Sequence, residues 1–142
     1  MAMSETLADS VLNANLTTGT RYMWLHTGDP GSTGSQNVAL FSSESTDLIH
    51  REPVTFGSPT NDTGFTSGEG RKVLLSSTGV EWTSTEIEEG EVIKYFSFWT
   101  SSGTGGTAMF ISATTSKQTS ADGVTIAAED IEVAIEIFKK SV

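Results

Sequence analysis

The chain has 142 residues and a mass of 15.1 kDa, which suits a single domain. Eight Lys and Arg against 18 Asp and Glu give a net charge of −10 and a pI near 4.4, a balance that repels nucleic-acid backbones and anionic membranes. There is no cysteine, so disulfides, thiolate metal sites and cysteine nucleophiles are excluded.

Residues 1–20 read as an N-terminal helix or arm. Ser4 is a candidate N-cap, and Glu5 suits the positive end of a helix. Over residues 4–16, Leu7 and Val11, together with Ala8, Leu12 and Leu16, fall at helical spacing and form one apolar stripe. Such a helix either packs on the body of its own domain or docks on a neighbouring subunit. No basic residue precedes Arg21 and no apolar run of signal-peptide length occurs, nor any run of the ~20 apolar residues a membrane helix needs. The expectation is a protein soluble inside the cell that makes it.

Residues 21–142 read as a single β domain. Tyr22 to His26 form a short strand that stops at Gly28-Asp29-Pro30-Gly31, a turn signal. Residues 32–46 form a long polar loop interrupted by Val38-Ala39-Leu40-Phe41. Residues 51–56 make an edge strand, because Pro53 cannot donate to a ladder. Residues 58–70 are another polar stretch. Residues 72–75 and 80–83 suggest a hairpin around 76–79. Val92–Trp99 is apolar on both faces, Ile93, Tyr95 and Trp99 on one and Val92, Phe96 and Phe98 on the other, so it reads as a central strand covered on both sides. The Gly-rich 101–107 is its hairpin loop and 108–111 its partner, with 112–123 polar. Residues 124–126 are a short strand. Residues 130–138 alternate cleanly, Ile131, Val133, Ile135 and Ile137 against Glu132, Ala134 and Glu136. With 40 Ser and Thr and 14 Gly, the whole is expected to be all-β, a β-sandwich or jelly-roll-like fold with a short N-terminal helix or arm.

Chemistry is sparse. His26 lies near Asp29, and His50 precedes Arg51 and Glu52, but neither shows a nucleophile–base–orienter set or a zinc spacing. Structural or surface roles are expected for both. Glu86, Glu88, Glu89 and Glu91 crowd one turn without the alternating register of a calcium loop, so a solvated acidic turn is expected, a partner-facing patch being the alternative. No phosphate-binding glycine motif and no nucleophile elbow occurs. Trp24, Trp82 and Trp99 lie in apolar strands and read as core. A carbohydrate-binding module would instead expose a platform among them and Tyr95. No catalytic, cofactor-binding or metal-ligating residue is assigned, and no cofactor.

One ordered set of motifs stands out: LHTGDPGSTGSQNV at 25–38, HREPVTFGSPT at 50–60, VEWTS at 80–84, EVIKYFSFWTSSGTGGTAMF at 91–110 and GVTIAAEDIEVAIE at 123–136. The set resembles a family of small β-rich structural proteins of tailed bacteriophages, described as tail-fibre, minor tail or head-decoration proteins. It departs from the family pattern at His50, where an aromatic precedes the Arg, and at Tyr95-Phe96-Ser97. The resemblance implies a virion component with no active-site residues. The leading expectation is a capsid decoration (cement) protein. It would bind the major capsid protein on the outer shell as a symmetric homo-oligomer, a trimer, by many modest contacts. It would be made in the host cytoplasm and touch neither nucleic acid nor membrane. A minor tail or tail-fibre component, with tail proteins as partners, is the alternative. The absence of an internal repeat or heptad run favours cement.

Overall fold

Strand pairing organises this chain, and every pairing between its described strands is antiparallel. The computed structural model describes residues 4–39, 50–61, 70–128 and 130–137. Helix α1 (Glu5–Leu12) begins at Ser4, whose hydroxyl accepts the Leu7 amide at 3.3 Å, as the N-cap expectation requires. It runs on into one wide π-type turn, Asn13–Thr17, so the helical stretch ends close to where the apolar stripe does. Ala8, Leu12 and Leu16 are fully buried, whereas Leu7 is 51% exposed, so the stripe is narrower than the sequence suggested. The helix packs on strands of its own chain, β4 (Gly70–Leu75) and β9 (Glu132–Ile137).

The largest sheet has the order β2-β1-β6-β7. It comprises β1 (Arg21–His26), β2 (Glu52–Val54), β6 (Val92–Trp99) and β7 (Ala108–Gln118). The Pro-containing strand lies at its edge and β6 lies inside it, both as expected. A second sheet has the order β3-β4-β9, with β3 at Thr60–Asn61. A third pairs β5 (Val80–Trp82) with β8 (Val124–Ile126). One hydrophobic cluster joins them, with Leu12, Met23, Trp82, Phe98, Ile126 and Ile131 all at 5% exposure or less. The fold is thus all-β and antiparallel with one short N-terminal helix.

Three details correct the sequence reading. Residues 72–83 are not a hairpin: β4 pairs with β9 and β3, and β5 pairs with β8. The link between β4 and β5 instead bonds elsewhere, the Ser76 amide to Ile131 O and the Ser77 amide to Thr55 O. Second, β7 does not end at 111 but continues to Gln118, because a polar sequence can remain in a ladder when its partner strand is strongly apolar. Third, Ile93 does not share a face with Tyr95. A register shift between them turns Ile93 into the core beside Phe96 and Phe98. The closing strand also begins later than expected, at Glu132. Ile131, just before it, and Val133 are buried, while the side chains of Ile135 and Ile137 lie outside the described residues. So do residues 40–46 and 62–69 of the two expected loops.

Candidate functional site

Alternation along β1 sends Met23 and Leu25 to the core and Trp24 and His26 to the opposite face. Pairing with β6 places Ser97 beside Trp24 and Trp99 beside Tyr22 on that opposite face. Residues 27–38 cover it by folding back, and Gly34 shows how closely. At φ +71°, a Cβ on Gly34 would stand 2.7 Å from the Ala108 Cβ and 3.4 Å from the Trp99 ring. This second cover explains why β6 is apolar on both sides.

His26 pins the loop from below. Its ring is fully buried, with Nδ1 2.8 Å from the Gln36 carbonyl oxygen and Nε2 2.7 Å from the Ser97 hydroxyl. A carbonyl only accepts, so Nδ1 carries the proton and Nε2 accepts from Ser97. Ser97 in turn accepts the Trp99 indole N–H at 2.8 Å. The chain Trp99–Ser97–His26–Gln36 spends each donor once. Burial, reinforced by the Arg51 charge and opposed by the Gln36 bond, lowers the His26 pKa, so the ring is neutral.

A serine hydroxyl on an imidazole is also how a nucleophile is activated. Here both side chains are 0% exposed, and a backbone carbonyl stands where a triad has its carboxylate. Asp29, the acid near His26 in sequence, instead accepts the Gly31 amide at 2.8 Å. The pair is structural.

Arg51 pins a second loop. Only 5% exposed, its guanidinium carbon lies 3.6 Å from the Trp99 ring centroid and 4.5 Å from that of Trp24. Its Nη1 reaches three carbonyl oxygens of the Gly-rich hairpin loop: Ser101 at 3.1 Å, Gly103 at 2.6 Å and Gly105 at 3.0 Å. Nη1 has two hydrogens, so three acceptors share them. Among the described residues its Nε has no partner. The loop sequence SSGTGGT therefore presents an exposed outer edge held from inside by one buried cation.

The acidic turn is tethered from beneath by Thr119, which is 3% exposed. Its hydroxyl donates to Glu88 O at 2.6 Å and accepts the Glu91 amide at 2.9 Å. Glu88 and Glu89 are exposed, as a solvated turn requires. Glu86 is different. Its carboxylate accepts the Thr83 amide at 2.7 Å and hydroxyl at 2.8 Å. Burial pushes it up, but these bonds, a bond from Glu52 and the His50 charge draw its pKa below the usual value. Glu52 moves the other way, to about 7, through burial and then the Glu86 charge and hydrogen bond. Below about pH 7 Glu52 is thus the member of this carboxyl pair that keeps its proton, and it can donate to Glu86 and tie β2 to the turn.

The tryptophans divide. Trp82 and Trp99 are buried, Trp82 donating its indole N–H to His50 O at 3.0 Å. Trp24 and Tyr95 are half-buried, and Trp24 meets Trp99 edge-on at 75°. The exposed flat platform that sugar stacking would need is not formed by this set. Among the described residues no three His, Asp or Glu converge as a metal site, and no helix is long and apolar enough to cross a membrane.

Arg51 and Ser97 are not marked out by their chemistry in the sequence. Ser97 carries a signal, as the one small polar residue among Tyr95, Phe96, Phe98 and Trp99. Arg51 has only its place in the HREPVTF motif.

Buried polar groups hold two loops from inside, so the described residues form a β module with two braced loops. The family model described as podophage GP4 fiber I protein gp80 matches residues 2–134, nearly the whole chain. The chain belongs to this family, and so to the structural proteins of tailed-phage particles. No curated protein matches it.

Proposed function

We propose that the chain is a structural module of a phage tail fibre. The family match over residues 2–134 carries this reading, because the family is described by a fibre protein. It reverses the order suggested by sequence, where the lack of an internal repeat favours a capsid cement. A repeat is needed for a long shaft, not for a compact module at a fibre's base or tip. The architecture suits that part, since loops 27–38 and 101–107 are braced from inside by His26 and Arg51 and so meet a partner with little ordering cost. In this reading the partners are other tail proteins and further copies of the chain. A symmetric homo-oligomer, a trimer, would multiply modest contacts. The role is structural, not catalytic.

Gold-labelled antibody against the chain, imaged on intact particles, tests this. Label on the fibres is the expected result. Label spread evenly over the head would overturn it in favour of cement. Sedimentation of the purified protein separately tests the trimer.

A further inference from the structure

The loop at residues 27–38 is knit mostly to itself. Within it the Gly34 amide donates to Gly31 O at 3.0 Å, the Gln36 amide to Pro30 O at 3.0 Å and the Asn37 side-chain amide to Asp29 O at 2.7 Å. Its base closes where the Thr27 amide donates to Asn37 O and the Ala39 amide to Leu25 O, either side of a bridge between His26 and Val38. Beyond that base, one hydrogen bond among the described residues ties the loop to the sheet: His26 Nδ1–H donates to Gln36 O at 2.8 Å. The rest of the seating is packing, with Pro30 and Gly34 buried and Gly34 close against Ala108 and Trp99. We propose that residues 27–38 are a flap latched by His26, and that protonation of this ring in acid releases the flap and uncovers the Trp99 face of the sheet.

The surroundings of the ring make it a latch. Neutral His26 donates from Nδ1 and accepts at Nε2 from Ser97, so a second proton must enter at Nε2. The Ser97 hydroxyl can then no longer donate to the ring, and it already accepts the Trp99 indole N–H. Among the described residues no carboxylate stands at either ring nitrogen. Arg51, whose charge acts on the ring, is itself a cation. Asp29, in the flap, accepts the Gly31 amide, and Tyr95 on β6 lies opposite His26 in register. His50 and Glu86 line a small cavity with Trp24 and Val38, and Glu86 is held by Thr83 and Glu52. Burial lowers the pKa of the ring from its ordinary 6.5, the Gln36 bond opposes this, and the Arg51 charge adds to it. A second buried cation beside Arg51 is costly, and the ring reaches water by lifting the flap. Below pH 6.5 the opened state therefore takes the proton first, and the open fraction grows about tenfold per pH unit until the closed ring itself titrates. The ladder of β1 with β6 uses backbone groups alone, so the sheet keeps its pairing. Neither the latch nor its release depends on where in the particle the chain sits.

The test uses the full chain, isotope-labelled at backbone, imidazole and indole nitrogens and followed by NMR from about pH 7.5 to about pH 5. The His26 ring, the Trp99 indole N–H and the amides of 27–38 should change in one step below pH 6.5. Protection of the Trp99 indole N–H from solvent exchange should fall by about tenfold per pH unit across that step, while amides of β4 and β9 keep theirs. His26→Gln, which can still donate to Gln36 O and accept from Ser97, should abolish the step. Ser97→Ala, which removes the donor to neutral Nε2, should move it to higher pH. Glu52→Gln should leave it in place, which separates it from the carboxyl pair. Release that persists in His26→Gln or vanishes in Glu52→Gln would overturn the proposal. So would a flap unchanged down to about pH 5, or loss of the 27–38 and β4 amides together in one global transition. Where a variant does not fold, the parent decides: titration of the His26 ring with the flap amides unmoved also overturns the latch.

Discussion

The Arg51 guanidinium stacks 3.6 Å from the centre of the Trp99 ring while its Nη1 binds three carbonyls of the loop that Trp99 leads into. One side chain thereby fixes both the end of β6 and the hairpin beyond it. Lysine offers neither a planar face for stacking nor a fork of donors. Arg51→Lys should therefore cost about 1–3 kcal/mol in chemical denaturation, the range for charged hydrogen bonds and partly desolvated cation–π contacts. It should also make residues 101–107 the first site of limited proteolysis. Parent-like cleavage there would show that the loop does not depend on Arg51.

Phe96 and Phe98 are 4% and 0% exposed, in the single core cluster. Truncation of either to Ala should cost about 3–5 kcal/mol, enough to unfold a marginal domain near body temperature. A loss under ~1 kcal/mol in urea titration would show that β6 is not the centre of the core.

Two glycines separate backbone strain from steric exclusion. At Gly90, with φ +88°, a Cβ would meet nothing within 4 Å among the described residues. At Gly123, with φ +91°, it would stand 2.0 Å from Trp82 O. Gly90→Ala should cost only the left-handed backbone penalty, about 1–2 kcal/mol. Gly123→Ala should cost clearly more, since β8 must move away from β5. Equal melting shifts for the two variants would contradict the close approach of Gly123 to Trp82.

The Glu52–Glu86 pair predicts a pH slope. Glu52 titrates near 7 when folded and near 4.5 when free, so between those values the folded chain holds a proton that the unfolded chain has lost. Stability from this group therefore falls as pH rises from about 4.5 to 7. The lowered pKa of Glu86 acts oppositely, with stability lost as pH falls below 4.5. Glu52→Gln keeps a donor for Glu86 and removes the charge. It should be more stable than the parent at about pH 8 and close to it at about pH 5. An unchanged difference across that range, followed by thermal melting, would refute the shared proton.

Glu88 and Glu89 do no comparable work. Replacing both with Gln should change stability by no more than about 0.5 kcal/mol. A larger loss in denaturant titration would mean that the turn needs their charge, not only Thr119 beneath it.

Much of this protein was determined by its sequence. Period-two alternation, turn-forming Gly and Pro and the absence of cysteine settled an all-β fold without thiol chemistry. The Ser4 cap, the edge position of Pro53, the inner position of β6 and its Gly-rich hairpin were local or nearly local properties, and so could be read along the chain. Partner choice between distant strands could not. Residues 72–83 look like a hairpin, yet β4 meets β9 more than fifty residues away, because pairing follows the packing of whole faces, not nearness in sequence. Length, −10 charge and 40 Ser and Thr suggested loops, but not how those loops are held. Only the tertiary structure decided that. It showed His26 and Arg51 buried beneath two loops, and the acids of the turn divided between a carboxyl pair and solvent. Each depends on which groups meet across the sheet, and burial makes those meetings count, since an unpaired polar group in the interior is costly and one at the surface is not.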